Sequence, residues 1–306
     1  MTIRTSIIGA SFAKAAYLPA LAIIDDVELV AISSAHLENA QSTAQAFNIP
    51  HAYDDWRTML DKHPVDLVGI ATPTIYHAEM ALAALDAGAH VICEKPLVIN
   101  TWNLQSLSEL EAKTGKREFT ILQLRLHPTL IALQQQLTSQ PAGQKRDVVL
   151  TYITRRGQWY HTSWKGDDEK SGGLAMNIGI HFFDLLIWLF GKPQNSQVHL
   201  SRPDKMAGSL ELEGAKVRWY LSVDVNDLPQ EMRDKGKYAS RSITMDGQEI
   251  EFSEGFTDLH TRVYEQTLAG NGFGIEDARP SIELVYDIRH ADLTPKPENL
   301  HPMLLK

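Results

Sequence analysis

Side chains able to do chemistry gather in three stretches of the 306-residue chain. In "VICEKPL" (Val91–Leu97) an apolar run ends in Glu94, Lys95 and Pro96. If that run is a strand of an open parallel sheet, its end faces the ligand crevice. Lys95 then presents an ammonium able to hydrogen-bond a substrate hydroxyl; the plainer alternative is a surface lysine before a strand-breaking proline. Lys95–Pro96 is also a candidate cis bond. In "SGGLAMNIGIHFFDLLIWLFG" (Ser171–Gly191) Asn177 and His181 stand four apart, so a helix places them on one face. Phe182–Phe190 is apolar nearly all round and should be buried. His181 is left at the rim, where an imidazole can act as a general base near neutral pH. Asp184 can orient it or cap the local backbone. The alternative is a hydrogen-bonded core histidine. In "TYITRRGQWYHTSWKGD" (Thr151–Asp167) Arg155, Arg156 and Lys165 alternate with Trp159, Tyr160 and Trp164. Such a patch holds carboxylate or phosphate while its rings stack on a base or sugar; the alternative is a strand end with a loop anchored by tryptophans.

A fourth stretch, "SIIGASFAKAAYLPAL" (Ser6–Leu21), has the outline of a nucleotide-binding turn with most of its glycines replaced. Gly9 holds the first place of Gly-x-Gly-x-x-Gly, and Ser11 and Lys14 stand at the second and third. "SFAK" (Ser11, Phe12, Ala13, Lys14) reads as a substituted phosphate cradle: a hydroxyl donor and a charge beside the helix N-terminus. After the second expected strand, "VAISSAHLENA" supplies Ser33 and Ser34 where an acidic residue would take a ribose 2′-OH. NADP is therefore an open alternative, with Ser33, Ser34 and His36 as donors. The absence of Arg and Lys from this stretch favours NAD. In "ATPTIYH", Thr72 and Pro73 are expected close to the cofactor's ribose and nicotinamide; His77 is a candidate neighbour or, alternatively, a cap for its own turn. Gln123, Arg125 and His127 follow another strand that should end at the crevice. Twelve histidines show no metal-ligand spacing, so no metal site is expected.

The elements that must position these groups follow from periodicity. Strands are expected at Ile3–Ile8, Glu28–Ser33, Leu67–Ala71, Val91–Cys93 and Phe119–Leu124. Helices alternate with them near Ala13–Ile24, Leu37–Phe47, Asp55–Asp61, His77–Ala87 and Thr101–Thr114, with Gly88 and Gly115 at helix C-termini. That alternation predicts a doubly wound parallel sheet. After Gln140–Lys145, read as a connection, strands come in series: Asp147–Arg155, Val198–Ser201, Ser209–Leu212, Lys216–Val223, Arg241–Met245 and Glu249–Phe252. Asp246-Gly247 marks a hairpin. Helices are expected at His181–Phe190, Leu259–Ala269 and Asp277–His290, and the tail "LTPKPENLHPMLLK" reads as extended. The expected class is α/β: a parallel-sheet domain over residues 1–125, then an α+β domain over residues 126–306. The second domain's mainly antiparallel sheet is open on one face and suited to a second subunit. A net charge of −9 argues against nucleic acid or an anionic membrane as partner. One cysteine, Cys93, fits a reducing cytosol. With no leader and no apolar run near a membrane span expected, the reading is cytoplasmic.

Three of these stretches, "GASFAKAAYLPAL", "ATPTIYHAEMALAALDAGAHVICEKPL" and "GGLAMNIGIHFFDLL", resemble the Gfo/Idh/MocA oxidoreductases. From Ile92 onward the chain looks closer to the UDP-N-acetylglucosaminuronate 3-dehydrogenases, through "TILQLRLHPTLIALQ", the long segment from Leu150 to Lys192, "VRWYLSVDVNDLP" and "GIEDAR". The wider family usually carries Asp at the position where this chain, like that subgroup, has Asn177. The first 90 residues match the subgroup less well. The resemblance implies a Rossmann domain and NAD(P)-dependent oxidation of the C3 hydroxyl of a UDP-linked sugar acid, in making lipopolysaccharide sugars. It implies Lys95 stabilising the alkoxide, His181 as base, Glu94 orienting Lys95 and Asn177 positioning the sugar. Arg155, Arg156 and Lys165 then meet the carboxylate or diphosphate, with Trp159, Tyr160, Gln123 and Arg125 beside them. A homo-oligomer, dimer or tetramer, is expected. The alternatives are a dehydrogenase of another sugar and a non-catalytic cofactor sensor.

Overall fold

Parallel strands buried on both faces read as unbroken apolar runs, and "LVGI" is one: Leu67–Ile70 is buried throughout. In the computed structural model, which describes residues 2–139, 143, 145–250, 252, 258–295 and 299–305, it is the inner strand of a six-stranded parallel sheet. The elements are β1 Ile3–Ile8, α1 Ala10–Leu21, β2 Val27–Ser33, α2 Leu37–Ala46, β3 His51–Tyr53, α3 Trp56–Lys62, β4 Leu67–Ile70, α4 His77–Asp86, β5 His90–Cys93, α5 Thr101–Thr114 and β6 Glu118–Thr120. The strand order is β3-β2-β1-β4-β5-β6, which reverses at β1 and opens the crevice between β1 and β4. Local chemistry sets the ends. Asp55 caps α3, accepting from the Thr58 N–H at 2.9 Å. Gly88 (φ 86°) and Gly115 (φ 68°) close α4 and α5 in the left-handed conformation.

Two expectations shift. Helix α1 begins at Ala10 rather than Ala13, which puts all of "SFAK" inside its first turns. The strand expected over Phe119–Leu124 stops at Thr120, and Gln123–Leu126 forms a 3-10 turn. The β3 strand, at three residues, is too short for any periodicity to reveal.

The second unit continues with α6 Pro128–Ser139, β7 Arg146–Thr154, α7 Gln158–Thr162, α8 Asp168–Ser171, α9 Ile180–Phe190, β8 Pro193–Ser201, β9 Lys205–Leu212, β10 Ala215–Ser222, α10 Gln230–Asp234, β11 Ala239–Met245 and β12 Gln248–Ile250. Its sheet runs β12-β11-β7-β10-β9-β8. Every neighbouring pair is antiparallel except the central β7–β10 pair, so the sheet is mixed. Asp246 and Gly247 turn between β11 and β12 with φ of 52° and 80°, the backbone a tight primed turn requires. Alternation sends Trp219 to one face, edge-on to Phe183 of α9 at 5.3 Å, and Tyr220 to the other. On that other face Met303 and Leu304 pack with Ile153, Ala207, Tyr220 and Leu228. The tail expected to be extended therefore covers part of the face expected to be open.

Asp168–Phe190 is long and apolar enough to cross a membrane by length and composition, contrary to the sequence reading. Its most apolar 18-residue stretch is 78 % buried inside the protein, and that makes it a core element. Of the connection Gln140–Lys145, only residues 143 and 145 are described. Residue 251 of the last expected strand and residues 296–298 of the tail also lie outside the described residues.

Two helices follow, α11 Leu259–Leu268 and α12 Ile275–His290. The chain divides into Met1–Leu126 with Thr257–Arg279, and His127–Phe256 with Pro280–Lys306. A single boundary at residue 125 does not describe this, because α11 returns to the parallel sheet. Tyr264 packs edge-on to Tyr17 of α1 at 5.3 Å, and both rings are fully buried.

Glu118 is the odd residue of this core. It is 0 % exposed, and neither carboxyl oxygen has a hydrogen-bond partner. Burial, and then the nearby Glu111, push its carboxyl well above the usual range. The folded protein thus keeps this proton while the unfolded chain loses it above the ordinary glutamate range. Stability from this residue falls as pH rises through that interval. Glu118→Gln is expected to raise the melting temperature near pH 8 by roughly 2–4 °C for each kcal/mol recovered. The gain should shrink toward about pH 4, where both states are protonated. Thermal melts of both proteins across that range check this; a gain independent of pH defeats it.

Candidate active site

At the carboxyl edge of the parallel sheet, Gly9 adopts φ 104°, and a Cβ on it would run into the Ala71 carbonyl. Its N–H donates to Ser33 O at 2.9 Å, and Ala71 N–H donates to Ile8 O at 2.8 Å. The ends of β1, β2 and β4 therefore meet at one point, with the N-terminus of α1 leaving from it. Ser11, Phe12 and Lys14 are exposed there. Ala13 is 0 % exposed, so its methyl fills the helix–sheet junction and only its main chain can face a ligand. Ser33 is 1 % exposed with a buried hydroxyl that has no partner. That removes it as an open phosphate donor, while Ser34 is half-buried and His36 exposed.

Thr72 and Pro73 form the turn after β4. The ring nitrogens of His77 face the Pro96 and Thr72 carbonyls at 2.9 Å each, so His77 ties this turn to the loop after β5 instead of capping its own helix. It is fully buried; burial pulls its pKa down, and the two carbonyls oppose that. The Lys95–Pro96 bond in that loop is cis.

From Val91 to Ile99 every residue is buried except Lys95. Glu94, before it, is 7 % exposed and accepts from the Lys95 main-chain N–H at 3.0 Å. Burial pushes the Glu94 carboxyl up, but His260, Lys95 and Tyr17 together hold it below the usual value. His260, on α11, is the residue of this cluster that sequence reasoning missed. Gln123 is half-buried in the 3-10 turn after β6. Arg125, a candidate substrate contact, is instead 9 % exposed: its guanidinium donates to the Asp277 carbonyl at 2.9 Å and pairs with that carboxylate at 3.5 Å. It is committed to holding the chain.

The second unit carries the other candidates. From Leu174 to Ile187 every residue is buried except Asn177 and His181. They share one open seam, although Asn177 lies in a π-helical stretch, Ala175–Gly179, ahead of α9. Single π turns often occur at functional sites. Asp184, the next polar residue along, is 2 % exposed. Gly172 and Gly173 lead into this stretch with φ of 78° and 67°. Beside them the buried Ser171 hydroxyl lies 2.8 Å from Lys165 O and 2.9 Å from Asp167 O. The Lys165 loop is thus fastened to the start of the Asn177–His181 run.

Trp159 is 49 % exposed, with the Arg156 guanidinium 5.9 Å and the Lys165 ammonium 5.8 Å from its ring. The structure gathers these two cations around one indole. Arg155 is also exposed but leans on Tyr238, 5.7 Å from that ring. Tyr160 is 1 % exposed, and burial raises its hydroxyl to about 12. It is packing for the loop, and a substrate contact from it is not supported. Among the described residues no group of His, Cys, Asp and Glu has the arrangement of a metal site.

Residues 3–121 match the model described as an oxidoreductase family with an NAD-binding Rossmann fold, and residues 147–228 match that family's C-terminal alpha/beta domain. A solved WlbA (WbpB) dehydrogenase from Thermus thermophilus, in complex with NAD and UDP-GlcNAcA, is 44 % identical, with TM-score 0.92 over 99 % of each chain. The WlbA dehydrogenase from Bordetella pertussis is alike in fold, with TM-score 0.80, 23 % identity and 94 % and 95 % of the two chains covered. The D-glucoside 3-dehydrogenase of Escherichia coli is 28 % identical over 198 residues, 64 % of this chain. The match spans only 56 % of that relative, little more than half its length. The matched sequence, the reversing sheet and the mixed-sheet domain agree, and the chain belongs to the Gfo/Idh/MocA family of oxidoreductases.

Proposed function

We propose that this protein oxidises the C3 hydroxyl of UDP-N-acetylglucosaminuronic acid to the 3-keto sugar, with NAD as the oxidant, in making bacterial lipopolysaccharide sugars. The observation that carries the reading is the pair of polar openings in otherwise buried runs: Lys95 in one, Asn177 with His181 in the other. Identity of 44 % over nearly the whole chain to a protein crystallised with NAD and this sugar nucleotide supports the substrate. The glycine turn suits a dinucleotide, because Gly9 lets the main chain pass close while the first N–H groups of α1 and the Ser11 hydroxyl remain available to a diphosphate. Ser11, Phe12, Lys14, Ser34, Thr72 and Pro73 are the proposed cofactor contacts, with Ala13 contributing main chain.

A bound nicotinamide would supply the acceptor for the hydride from C3. The protein's own groups handle the remaining charge. The Lys95 ammonium hydrogen-bonds the C3 oxygen and stabilises it as negative charge develops. His181 takes the hydroxyl proton, so the C3–H pair leaves as hydride, the O–H proton stays on imidazole and a C=O bond forms. Asn177 positions the sugar, Glu94 fixes the main chain of Lys95, and Asp184 steadies His181. Arg156 and Lys165 around Trp159, with Arg155 and Gln123 as lesser contacts, meet the carboxylate or the diphosphate. The proposal includes a cytoplasmic homo-oligomer, dimer or tetramer, docked through the partly covered sheet face, with no nucleic-acid or membrane partner.

Lys95→Ala and His181→Ala should each lower kcat by about 10²–10⁴-fold while leaving NADH binding close to wild type. Absorbance of the reduced nicotinamide and a fluorescence titration of NADH measure the two. Wild-type turnover in either variant defeats its assigned role. No turnover by the wild type on any nucleotide sugar would favour a cofactor sensor.

A charge-assisted hydrogen bond contributes about 1.5–3 kcal/mol. Arg156→Ala with Lys165→Ala should therefore raise KM for the sugar acid by roughly 10-fold or more, with a smaller effect on neutral UDP-GlcNAc. Equal losses on both substrates would place these cations on the diphosphate alone. Better wild-type activity on the neutral sugar would overturn the acid as substrate.

A further inference from the structure

The carboxylate before Lys95 is held from 166 residues away. The Nε2 of His260 on α11 lies 3.4 Å from Glu94 Oε1, while Glu94 Oε2 takes the Lys95 main-chain N–H at 3.0 Å. The Tyr17 hydroxyl lies beside this carboxylate and helps hold its pKa down. Tyr17 is fully enclosed, and its hydroxyl also reaches Ile70 O at 3.4 Å. His260 is the member of the set that solvent reaches, with its side chain 25 % exposed. Its ring also lies against the nucleotide turn, 6.4 Å from Phe12 and 6.2 Å from Tyr17, centroid to centroid. The groups facing it across the cluster are Glu94 on the β5 loop, Tyr17 on α1 and the phenyl of Phe12.

We infer that His260 is a positioning residue for Lys95, acting through Glu94. A buried carboxylate needs donors to stay ionised and to keep one rotamer. One of its donors is fixed by the fold, the main-chain N–H of Lys95, with the enclosed Tyr17 hydroxyl beside the carboxylate. His260 supplies the second from a helix that the sequence order separates from the site. With His260 donating at Oε1, Oε2 stays on the Lys95 N–H, and the backbone from which the Lys95 ammonium projects is held in place. Without it the carboxylate can rotate toward Tyr17 or take up a proton, and the Lys95 N–H loses its acceptor. The inference rests on the reading that Lys95 acts on the substrate hydroxyl.

Three substitutions separate donation from packing. His260→Phe keeps a ring against Phe12 and Tyr17 but has no donor; it should lower kcat by about 10–100-fold, the scale of a small misplacement of a reacting group. KM for NAD and the melting temperature should stay close to wild type. His260→Gln, which returns an N–H donor, should recover most of kcat, and His260→Ala should match the Phe variant. Wild-type kcat in the Phe variant, or no recovery with Gln, overturns the inference. An arm independent of turnover uses ¹⁵N-histidine-labelled protein: Glu94→Gln should move the His260 Nε2 resonance, and an unmoved resonance also overturns it. If the wild type is silent on the sugar acid, the proposed function fails, and the resonance still decides whether His260 and Glu94 are joined.

Discussion

The carboxyl edge of the parallel sheet depends on one close approach, that of Gly9 to the Ala71 carbonyl. Any side chain at Gly9 would collide with that carbonyl, and its φ of 104° is one that L-residues rarely adopt. The contact brings the ends of β1 and β4 together, lets the Gly9 N–H reach Ser33 and starts α1 one residue later. The other two fingerprint positions carry no such constraint here. Ser11 and Lys14 are exposed, and the tight helix–sheet junction is made by the buried methyl of Ala13. Of the three fingerprint positions, the glycine stands at the one where the protein's own main chain leaves no room for a side chain.

The polar candidates share a physical setting. Lys95 is the single half-open residue in Val91–Ile99, and Asn177 and His181 are the two in Leu174–Ile187. Neighbours packed on every other side restrict the rotamers available to such a residue, so its head group points where the one opening allows. The π stretch before α9 strengthens this. A Cβ at Gly179 would come within 2.6 Å of Leu221 and 2.9 Å of Phe183, so the main chain lies directly on the core just before His181. Packing fixes the position, and the seam supplies access.

What was legible in the sequence was local. The full span of α5 followed from its period and from Gly115, and the hairpin of β11 and β12 from Asp246-Gly247. Lys95, Asn177 and His181 announced themselves because a polar residue interrupts an apolar run. What was not legible depends on residues distant in the chain. Arg125 read as a ligand contact because it follows a strand expected to end at the crevice; its carboxylate partner, Asp277, stands 152 residues on. Tyr160 read as a stacking surface like Trp159, and only the folded loop shows one ring enclosed and the other half-open. The period of α11 was visible, but its neighbours Tyr17 and Glu94 were not, and with them went the role of His260.

Two buried glutamates show why burial alone does not mark a functional carboxylate. Glu118, on β6, lies opposite Val91, within the span of β5, and its own main-chain N–H goes to the Glu111 carboxylate. Its side chain finds no donor there and is pushed toward the neutral form. Glu94 lies just past the end of β5, where the Lys95 main-chain N–H and the His260 imidazole meet its carboxylate beside the Tyr17 phenol. The same side chain, nearly as buried, is held ionised. The distance between these two fates is a few residues of register between neighbouring strands. It is set by where the sheet's own hydrogen bonding ends, and in an open parallel sheet that boundary is also the edge at which ligands bind.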